Sequence, residues 1–315
     1  MQAIFLELVK LSLIGSLFAA AVMLVRLILP KTPKWIICLL WGVVALRLIC
    51  PVSIESNVSL VPDSISSGQI ITNIGDEYIG DVNVIYENNE ELVALCFLTK
   101  HLQSKGVADI SLKLPYIPNA RQDRVKKEED VFTLKYFSEM INSLGFSKVT
   151  VLDPHSYVSE ALIDHVDIQS PKPYVEKVLK ELKEKNSENI LMFYPDEGAM
   201  KRYSAMFDAP YAFGIKKRDW ATGEIRGLEV SGQKELVEGS TILIVDDICS
   251  RGGTFYHSAK ALKELGAGKI YLYISHCENT ILEGEILKDN FIERVYTTNS
   301  IFTKTNEKVE VFDYE

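Results

Sequence analysis

One continuous segment, residues 241–254, constrains the fold of this chain more than any other part of the sequence. Ile242 to Val245 form a short uncharged run rich in β-branched residues, which is typical of a strand buried on both faces of a parallel sheet. Asp246 and Asp247 follow directly, and open α/β sheets bind ligands beyond the carboxyl ends of such strands. Two neighbouring carboxylates can accept hydrogen bonds from vicinal sugar hydroxyls.

The residues after the acidic pair supply a loop of mostly small side chains and then a helix. The small residues between Ser250 and Thr254 let backbone N–H groups approach an anion, and residues 255–266 have the pattern of a helix that ends at glycine. A phosphate would bind at the N-terminus of that helix, and the positive charge of Arg251 suits it. We call residues 246–254 the sugar-phosphate cradle. The alternative is an ordinary strand-turn-helix unit with a solvated acidic pair. The predicted phosphate-binding residues are Ser250, Arg251, Gly252, Gly253 and Thr254.

Length and charge set the broad class of the protein. A chain of 315 residues can form two domains, and its net charge of -9 argues against non-specific nucleic-acid binding, which depends on Lys and Arg. The five cysteines form no CxxC pair and no metal-ligand cluster with the histidines, and no HExxH string occurs. A zinc-hydrolase function therefore has no support in these residues.

The N-terminal part differs in character from the rest of the chain. Residues 3–29 and 35–52 are strongly apolar, and each approaches the ~20 residues needed to span a bilayer. Interfacial anchors are expected at the ends of such segments, where Trp35, Trp41 and the Lys31/Lys34 pair lie. The pattern predicts two transmembrane helices within residues 1–56 and a membrane-bound protein; the alternatives are a signal peptide and a buried helical hairpin.

The same part of the chain resembles a known family of membrane proteins. The strings VRLILPKTPKWI (residues 25–36) and LWGVVALRLICPVSIES (residues 40–56) resemble the N-terminus of membrane zinc metallopeptidases related to β-lactam sensor-transducers. The resemblance covers about the first 60 residues and does not include the peptidase's catalytic helix, so it implies no peptidase activity.

The remaining sequence predicts a linker and then an α/β fold. Residues 57–90 are rich in Ser, Gly, Asn and Asp and are predicted to be a linker, with a short strand at 81–86 as an option. Alternating strand and helix patterns from residue 91 onward predict parallel sheets flanked by helices, with domains at 91–160 and 161–315. The predicted helices are 91–105, 131–144, 173–186 and 254–265, and the predicted strands are 110–114, 148–152, 190–194, 241–245 and 269–275.

Two further strings narrow the chemistry. In LPYIPNARQDR (residues 114–124), Arg121 can bind phosphate in a bidentate manner and Gln122 can contact an adenine edge. In VLDPHS (residues 151–156), His155 lies just beyond a predicted strand. Taken singly, the first string is most simply a surface loop and the second a structural histidine.

Together the strings resemble a family of enzymes. The cradle resembles the signature of the type I phosphoribosyltransferase superfamily, and ARQDR (residues 120–124) with DPH (residues 153–155) resembles ribose-phosphate pyrophosphokinases. YPDEGA (residues 194–199) and GIKKR (residues 214–218) resemble that family's pyrophosphate loop and flexible catalytic loop. The resemblance implies a phosphoribosyltransferase-like fold, with an incomplete first half-domain, from about residue 88 onward.

The resemblance also implies a reaction and the residues that perform it. The reaction is pyrophosphoryl transfer from Mg-ATP to ribose 5-phosphate, which needs the cytoplasm, and a homo-oligomer is expected. Because a Phe-x-Asp-x-Glu segment that contacts adenine in the family is not found, activity is expected to be impaired. The alternatives are a non-catalytic membrane-tethered module that binds ribose phosphates or nucleotides, and a type I phosphoribosyltransferase. The implied roles are catalysis by Lys216, Arg218 and His155; binding of ribose 5-phosphate by Asp246, Asp247 and Ser250 to Thr254; binding of ATP by Arg121, Gln122 and Asp123; and binding of Mg²⁺ by His155 and Asp196.

Overall fold

The structure, a computed structural model, describes residues 71–74, 77–84, 86, 89–186, 189–218 and 225–314. Within these ranges, residues 71–74, 77–79, 186, 216–218 and 225–228 are described by their backbone alone. All of them belong to one unit, Leu60–Glu315. The predicted transmembrane helices and the metallopeptidase-like segment lie outside the described residues. Among the helices that are described, none combines the length and apolar character that crossing a bilayer requires.

The first of two sheets follows the order β1-β2-β3-β4-β5. Its strands are parallel except for the antiparallel pair β1 and β2. Three helices accompany these strands, and a core that includes Leu112, Phe137 and Val151 joins them. The elements are β1 (Ile71–Ile74), β2 (Glu77–Asn83), α1 (Asn89–Ser104), β3 (Asp109–Lys113), α2 (Thr133–Asn142), β4 (Lys148–Leu152), α3 (Tyr157–Leu162) and β5 (Val166–Gln169).

The second sheet follows the order β12-β11-β10-β9-β6-β7-β8 and is parallel except for the pair β7 and β8. Its central strands are β9, β10 and β6. The elements are α4 (Lys172–Asn186), β6 (Ile190–Tyr194), α5 (Glu197–Tyr203), β7 (Tyr211–Arg218), β8 (Ile225–Gly232), β9 (Thr241–Cys249), α6 (Gly253–Glu264), β10 (Ile270–Cys277), β11 (Arg294–Thr298) and β12 (Val309–Phe312).

Strand β9 is apolar because both of its faces are covered. Successive side chains of a strand point to opposite faces, so Ile242 and Ile244 pack with α6 in one core, whereas Leu243 and Val245 pack with α4 and α5 in another. This is the arrangement that the uncharged run predicted for a central parallel strand.

The structure confirms the predicted strands and helices of the α/β part to within a few residues and adds strands where a linker was predicted. Strands β1 and β2 lie inside the stretch 57–90 and pair with each other and with β3. Strand β5 belongs to the first sheet, so that sheet continues past residue 160, the predicted domain boundary. The division into domains remains a prediction.

Candidate active site

A large cavity opens where strands of both sheets reach their carboxyl ends. Its volume is about 1020 Å³, and its wall is formed by residues that follow β4, β6 and β9 and by the start of α6. Pockets of this order bind small organic ligands. The predicted site residues that line it are Arg121, Asp123, His155, Asp196, Asp246, Asp247, Ser250, Arg251, Gly252, Gly253 and Thr254.

Strand β9 carries the acidic pair into the cavity wall. Its pairing with β6 ends at Ile244, whereas its pairing with β10 continues to Cys249, so the carboxylates lie where one neighbouring strand has stopped. Adjacent strand residues point to opposite faces. Asp246 is half-buried, whereas Asp247 is only 3% exposed. The strand therefore gives the two carboxylates different surroundings.

Asp247 is engaged by two side chains from other elements. The Nδ1 atom of His155 lies 2.6 Å from Asp247 Oδ2, and a guanidinium nitrogen of Arg202 lies 3.0 Å from the same oxygen. Because an ionised carboxylate only accepts hydrogen bonds, Nδ1 of His155 is the donor in this contact. One carboxylate oxygen thus joins the first sheet, through the loop after β4, to α5 of the second sheet.

The two acidic side chains also differ in protonation. Burial by itself would raise the pKa of Asp247, but the hydrogen bond from His155 and the charge of Arg202 outweigh it and hold that pKa below its usual range. Burial, together with the negative charge of Asp247, raises the pKa of Asp246 well above its usual range. The neighbouring charge of Asp196 acts on Asp246 in the same direction. A cation bound near Asp196 and Asp246 would favour the ionised form of Asp246.

The loop of the cradle has the backbone that the glycines predicted. Gly252 adopts φ 77°, the left-handed region, and a Cβ atom there would lie 2.7 Å from Ile286 Cγ2. Helix α6 begins at Gly253, and no side chain caps its N-terminus. Its first backbone N–H groups are therefore available to an anion.

The two polar side chains of this loop have protein partners. The hydroxyl of Ser250 donates to Glu278 Oε1 at 2.7 Å. The guanidinium of Arg251 lies 3.0 Å from Glu283 Oε2, and both side chains are largely exposed. In this arrangement, therefore, the loop offers an anion its backbone N–H groups rather than the Arg251 charge.

Two loops of the first sheet complete the wall: residues 115–124 after β3 and residues 153–156 after β4, which we call the first-sheet loops. A guanidinium nitrogen of Arg121 donates to the backbone carbonyl of Ile248 at 2.8 Å, so the first loop contacts the strand of the cradle directly. Asp123 is 5% exposed and accepts hydrogen bonds from Arg124 at 2.7 and 3.0 Å. The arginine-rich loop thus faces the same cavity as the cradle.

Three predicted site residues are not placed in the cavity. Gln122 is exposed and does not line the wall, and its side-chain oxygen accepts a hydrogen bond from Thr133. The backbones of Lys216 and Arg218 lie on β7, but their side chains are outside the described residues. Their catalytic role therefore remains a prediction.

The donors that face the cavity suit a hard cation held partly by its substrate. No group of three His, Cys, Asp or Glu side chains arranged to hold a metal occurs within the described ranges. Mg²⁺ commonly uses one or two protein carboxylates together with substrate phosphates, and Asp196 and Asp246 both line the cavity. Asp196 also caps α5 by accepting a hydrogen bond from the Ala199 N–H at 3.1 Å. The carboxylates present fit this mode of binding.

The residues that connect the two sheets behind the site were not predicted from the sequence. Arg202 was not singled out, although its guanidinium pairs with Asp247. Tyr203 was also not singled out, and Asp153 was noted only as part of the DPH string. The hydroxyl of Tyr203 donates to Asp153 Oδ2 at 2.8 Å. A Lys-Arg pair in a short helix carries no local signal that one of its members is buried, so only the tertiary structure identifies Arg202.

Comparison with known proteins agrees with this architecture. No protein-family model matches the sequence. The ribose-phosphate pyrophosphokinase of Marinomonas sp. is 31% identical over 250 residues, which cover 75% of this chain and 76% of that protein. The protein of the same name from Bacillus subtilis is 29% identical over 259 residues, with 78% of each chain covered. A crystal structure of phosphoribosylpyrophosphate synthetase from Mycobacterium smegmatis superposes with a TM-score of 0.61 at 20% identity and covers 75% of this chain and 76% of that one.

The fold and the site define a class of protein first. Parallel sheets flanked by helices, with a glycine-containing loop that opens a helix beside an acidic pair, make this a phosphoribosyltransferase-like α/β protein. Within that class, 31% identity over three quarters of a relative's length identifies the family of this chain. The chain belongs to the ribose-phosphate pyrophosphokinase family.

Proposed function

We propose that this protein is a ribose-phosphate diphosphokinase, which converts ATP and ribose 5-phosphate into phosphoribosyl pyrophosphate and AMP. The anomeric hydroxyl oxygen attacks the β-phosphorus of ATP, the bond from that phosphorus to the α–β bridging oxygen breaks, and AMP leaves. The observation that carries the proposal is the meeting of the first-sheet loops with the cradle around one cavity, through Arg121 with Ile248 and His155 with Asp247. A transfer between two substrates needs both of them in one space.

Ribose 5-phosphate would bind in the cradle. The backbone N–H groups at the start of α6 would hold its 5-phosphate, because a helix N-terminus offers unpaired donors and a partial positive charge. Asp246, which is half-buried and lines the cavity, would accept hydrogen bonds from the ribose hydroxyls. Asp247 lies on the cavity wall but is engaged by two side chains, and it would chiefly order the residues around it.

ATP would bind on the side of the first-sheet loops. Arg121, Asp123 and the imidazole of His155 line the cavity there. Mg²⁺, when bound, would neutralise phosphate charge. Asp196 and Asp246 are the carboxylates that would hold it, and His155, the other predicted metal ligand, also lines the cavity. The predicted roles of Lys216 and Arg218, which are to stabilise charge in the transition state, belong to this proposal as well.

The test is the formation of AMP by the full-length chain from ATP, ribose 5-phosphate and Mg²⁺. We expect one AMP for each phosphoribosyl pyrophosphate, measured by chromatography and phosphorus NMR. Binding of both substrates without AMP would favour the membrane-tethered binding module instead. Release of pyrophosphate from phosphoribosyl pyrophosphate in the presence of a nucleobase would favour a type I phosphoribosyltransferase.

We also propose that residues 3–52 attach the protein to a membrane and that the protein is a homo-oligomer. The support for attachment is the apolar character of residues 3–29 and 35–52. Fractionation of expressing cells with carbonate extraction tests the attachment, and recovery in the soluble fraction would contradict it. Light scattering coupled to gel filtration measures the oligomeric state, and a monomeric mass would contradict the second part.

A further inference from the structure

Arg202 is a largely buried cation that no substrate role accounts for. It lies in the last turn of α5, its side chain is 17% exposed, and it lines the cavity. Its guanidinium stacks over the ring of Tyr203 at 5.3 Å and forms an ion pair with Asp247 at 3.0 Å. A buried arginine with these two contacts is held in one orientation, so its charge is fixed in space.

The ion pair involves the oxygen that also binds His155. Both His155 Nδ1 and the Arg202 guanidinium contact Oδ2 of Asp247. Because Asp247 is 3% exposed, water cannot easily replace either partner. The orientation of the carboxylate, and with it the hydrogen bond to His155, therefore depends on Arg202.

A second contact reaches the same loop from the next residue of the helix. The hydroxyl of Tyr203 donates to Asp153, which lies two residues before His155 and is 3% exposed. Asp153 also accepts a hydrogen bond from Ser275 of β10. Arg202 and Tyr203 thus hold the loop after β4 at two points, one through Asp247 and one directly.

We propose that Arg202 is a positioning residue: it fixes Asp247, and through Asp247 it holds the imidazole of His155 in the tautomer and orientation that the reaction needs. The two contacts of Arg202 that carry this role are with protein groups, the Asp247 carboxylate and the Tyr203 ring. The role in turnover rests on the proposed function, whereas the hydrogen bond from His155 to Asp247 can be observed without turnover. In metal sites, residues that hydrogen-bond to a ligating histidine orient its imidazole in a similar way.

The structural part of the proposal is tested on protein labelled with ¹⁵N-histidine. A proton held between His155 Nδ1 and Asp247 gives a downfield ¹H resonance, which the His155→Ala variant assigns among the five histidines of the chain. We expect Arg202→Met to lose this resonance or to bring it into fast exchange with water. An unchanged resonance in that variant would overturn the proposal, whether or not the protein turns over substrate.

The kinetic part is tested by a double-mutant cycle on the full-length protein. Replacing such an orienting partner typically costs roughly 10- to 100-fold in activity, and we expect Arg202→Met to lower kcat by that factor with a smaller change in KM for ribose 5-phosphate. If Arg202 acts through His155, Arg202→Met has little further effect in the His155→Ala background. If the two substitutions lower kcat in the double variant by the product of their separate factors, the proposal is overturned.

Matched variants separate positioning from folding. Arg294→Met also removes an arginine from an ion pair, with Glu310 at 2.7 Å, but that pair lies on β11 and β12 outside the cavity wall. We expect it to leave kcat and the His155 resonance unchanged.

If the melting temperature shows that Arg202→Met does not fold, Arg202→Gln serves in both tests. Arg202→Lys, which keeps the charge, is expected to recover part of kcat; no recovery over Arg202→Met would overturn the role of the ion pair.

Discussion

The two halves of the cavity wall are built in different ways. The cradle is one continuous piece of chain in which a buried strand, a left-handed glycine and a helix follow one another from β9 to α6. The first-sheet loops come from two separate places, and side chains such as Arg121 and His155 connect them to the cradle. Local backbone geometry therefore shapes one half of the wall, and long-range side-chain contacts shape the other.

This difference predicts how each half responds to substitution. In the cradle, the ligand-binding groups are backbone N–H groups and one half-buried carboxylate, so errors in backbone conformation should be costly. In the first-sheet loops, single side chains carry both the contact with the cradle and the contact with ligand, so substitutions there should change affinity more than folding.

The largest effect is expected at Asp246. The Asp246→Asn variant keeps the shape of the side chain but loses a charge-assisted hydrogen bond, worth about 1.5–3 kcal/mol. We expect kcat/KM for ribose 5-phosphate to fall by about 10- to 150-fold at an unchanged melting temperature, which follows from about 1.4 kcal/mol per factor of ten. Steady-state kinetics at saturating ATP measures it. A loss no greater than that of Asp123→Asn, in a first-sheet loop, would contradict the comparison.

The next effect concerns the backbone of the cradle. Gly252→Ala places a Cβ atom on a left-handed residue and within 2.7 Å of Ile286 Cγ2, which should cost about 1–3 kcal/mol of unfolding free energy. Urea denaturation checks the value. Gly253→Ala is the matched control for stability, because no atom from outside its chain neighbours and its own helix backbone lies within 4 Å of its Cβ position, and alanine favours the helix. Equal stability of the two variants would show that the loop is not strained as described.

A smaller effect is expected where the two halves touch. Arg121→Met removes the hydrogen bond to the Ile248 carbonyl, worth about 0.5–1.5 kcal/mol. Because this bond joins the first-sheet loops to the cradle, KM should rise several-fold for both ATP and ribose 5-phosphate. Among the described residues, Arg124 pairs with Asp123 and not with the cradle, so Arg124→Met should raise KM for ATP only. If initial-rate kinetics gave the same changes in KM for the two variants, the contact between Arg121 and the cradle would not affect binding of ribose 5-phosphate as expected.

The same contrast explains what could be predicted from the sequence. Strands such as β4 and β6 and the helix α6 were predicted to within a residue at each end, because periodicity and flanking glycines determine them locally. Strand β1 was predicted as linker, and β2 overlaps the optional strand 81–86 only at residues 81–83, because these residues have weak periodicity and pair through tertiary contacts. The parallel register of β2 with β3 carries no signal within residues 57–90.

The site shows the same limit at the level of single residues. The cradle was predicted from residues that are neighbours in sequence, including the glycine at 252. Asp246 and Asp247 were assigned one shared role, yet alternation along the strand gives them different surroundings. Arg202 lies far from Asp247 in the sequence and was missed, because a buried ion pair is determined by how α5 packs on the sheet.

The smallest net effect is expected in the pH dependence of the wild-type protein, because two buried groups at the junction of the two sheets titrate in opposite directions. His276 lies on β10, and its Nε2 atom donates to the Leu152 carbonyl at 2.9 Å. Burial lowers the pKa of His276 to about 4. Asp153 follows β4, and burial together with the charge of Asp247 raises its pKa to about 6.

These shifts oppose each other between about pH 4 and pH 6. In this pH range, the native state binds about one proton fewer than the unfolded state at His276 and about one more at Asp153. The two contributions nearly cancel, so the pair changes the free energy of unfolding by no more than about 1 kcal/mol across this range. At low pH the unfolded state gains a proton at His276 that the native state does not bind, which destabilises the protein. Replacing His276 by Phe removes this contribution. The free energy of unfolding of His276→Phe, relative to wild type, should therefore rise as pH falls from 6.5 to 4 in urea titrations. A difference between the two proteins that does not change with pH would show that His276 is protonated in the native state, and the two sheets would then meet through a charged junction.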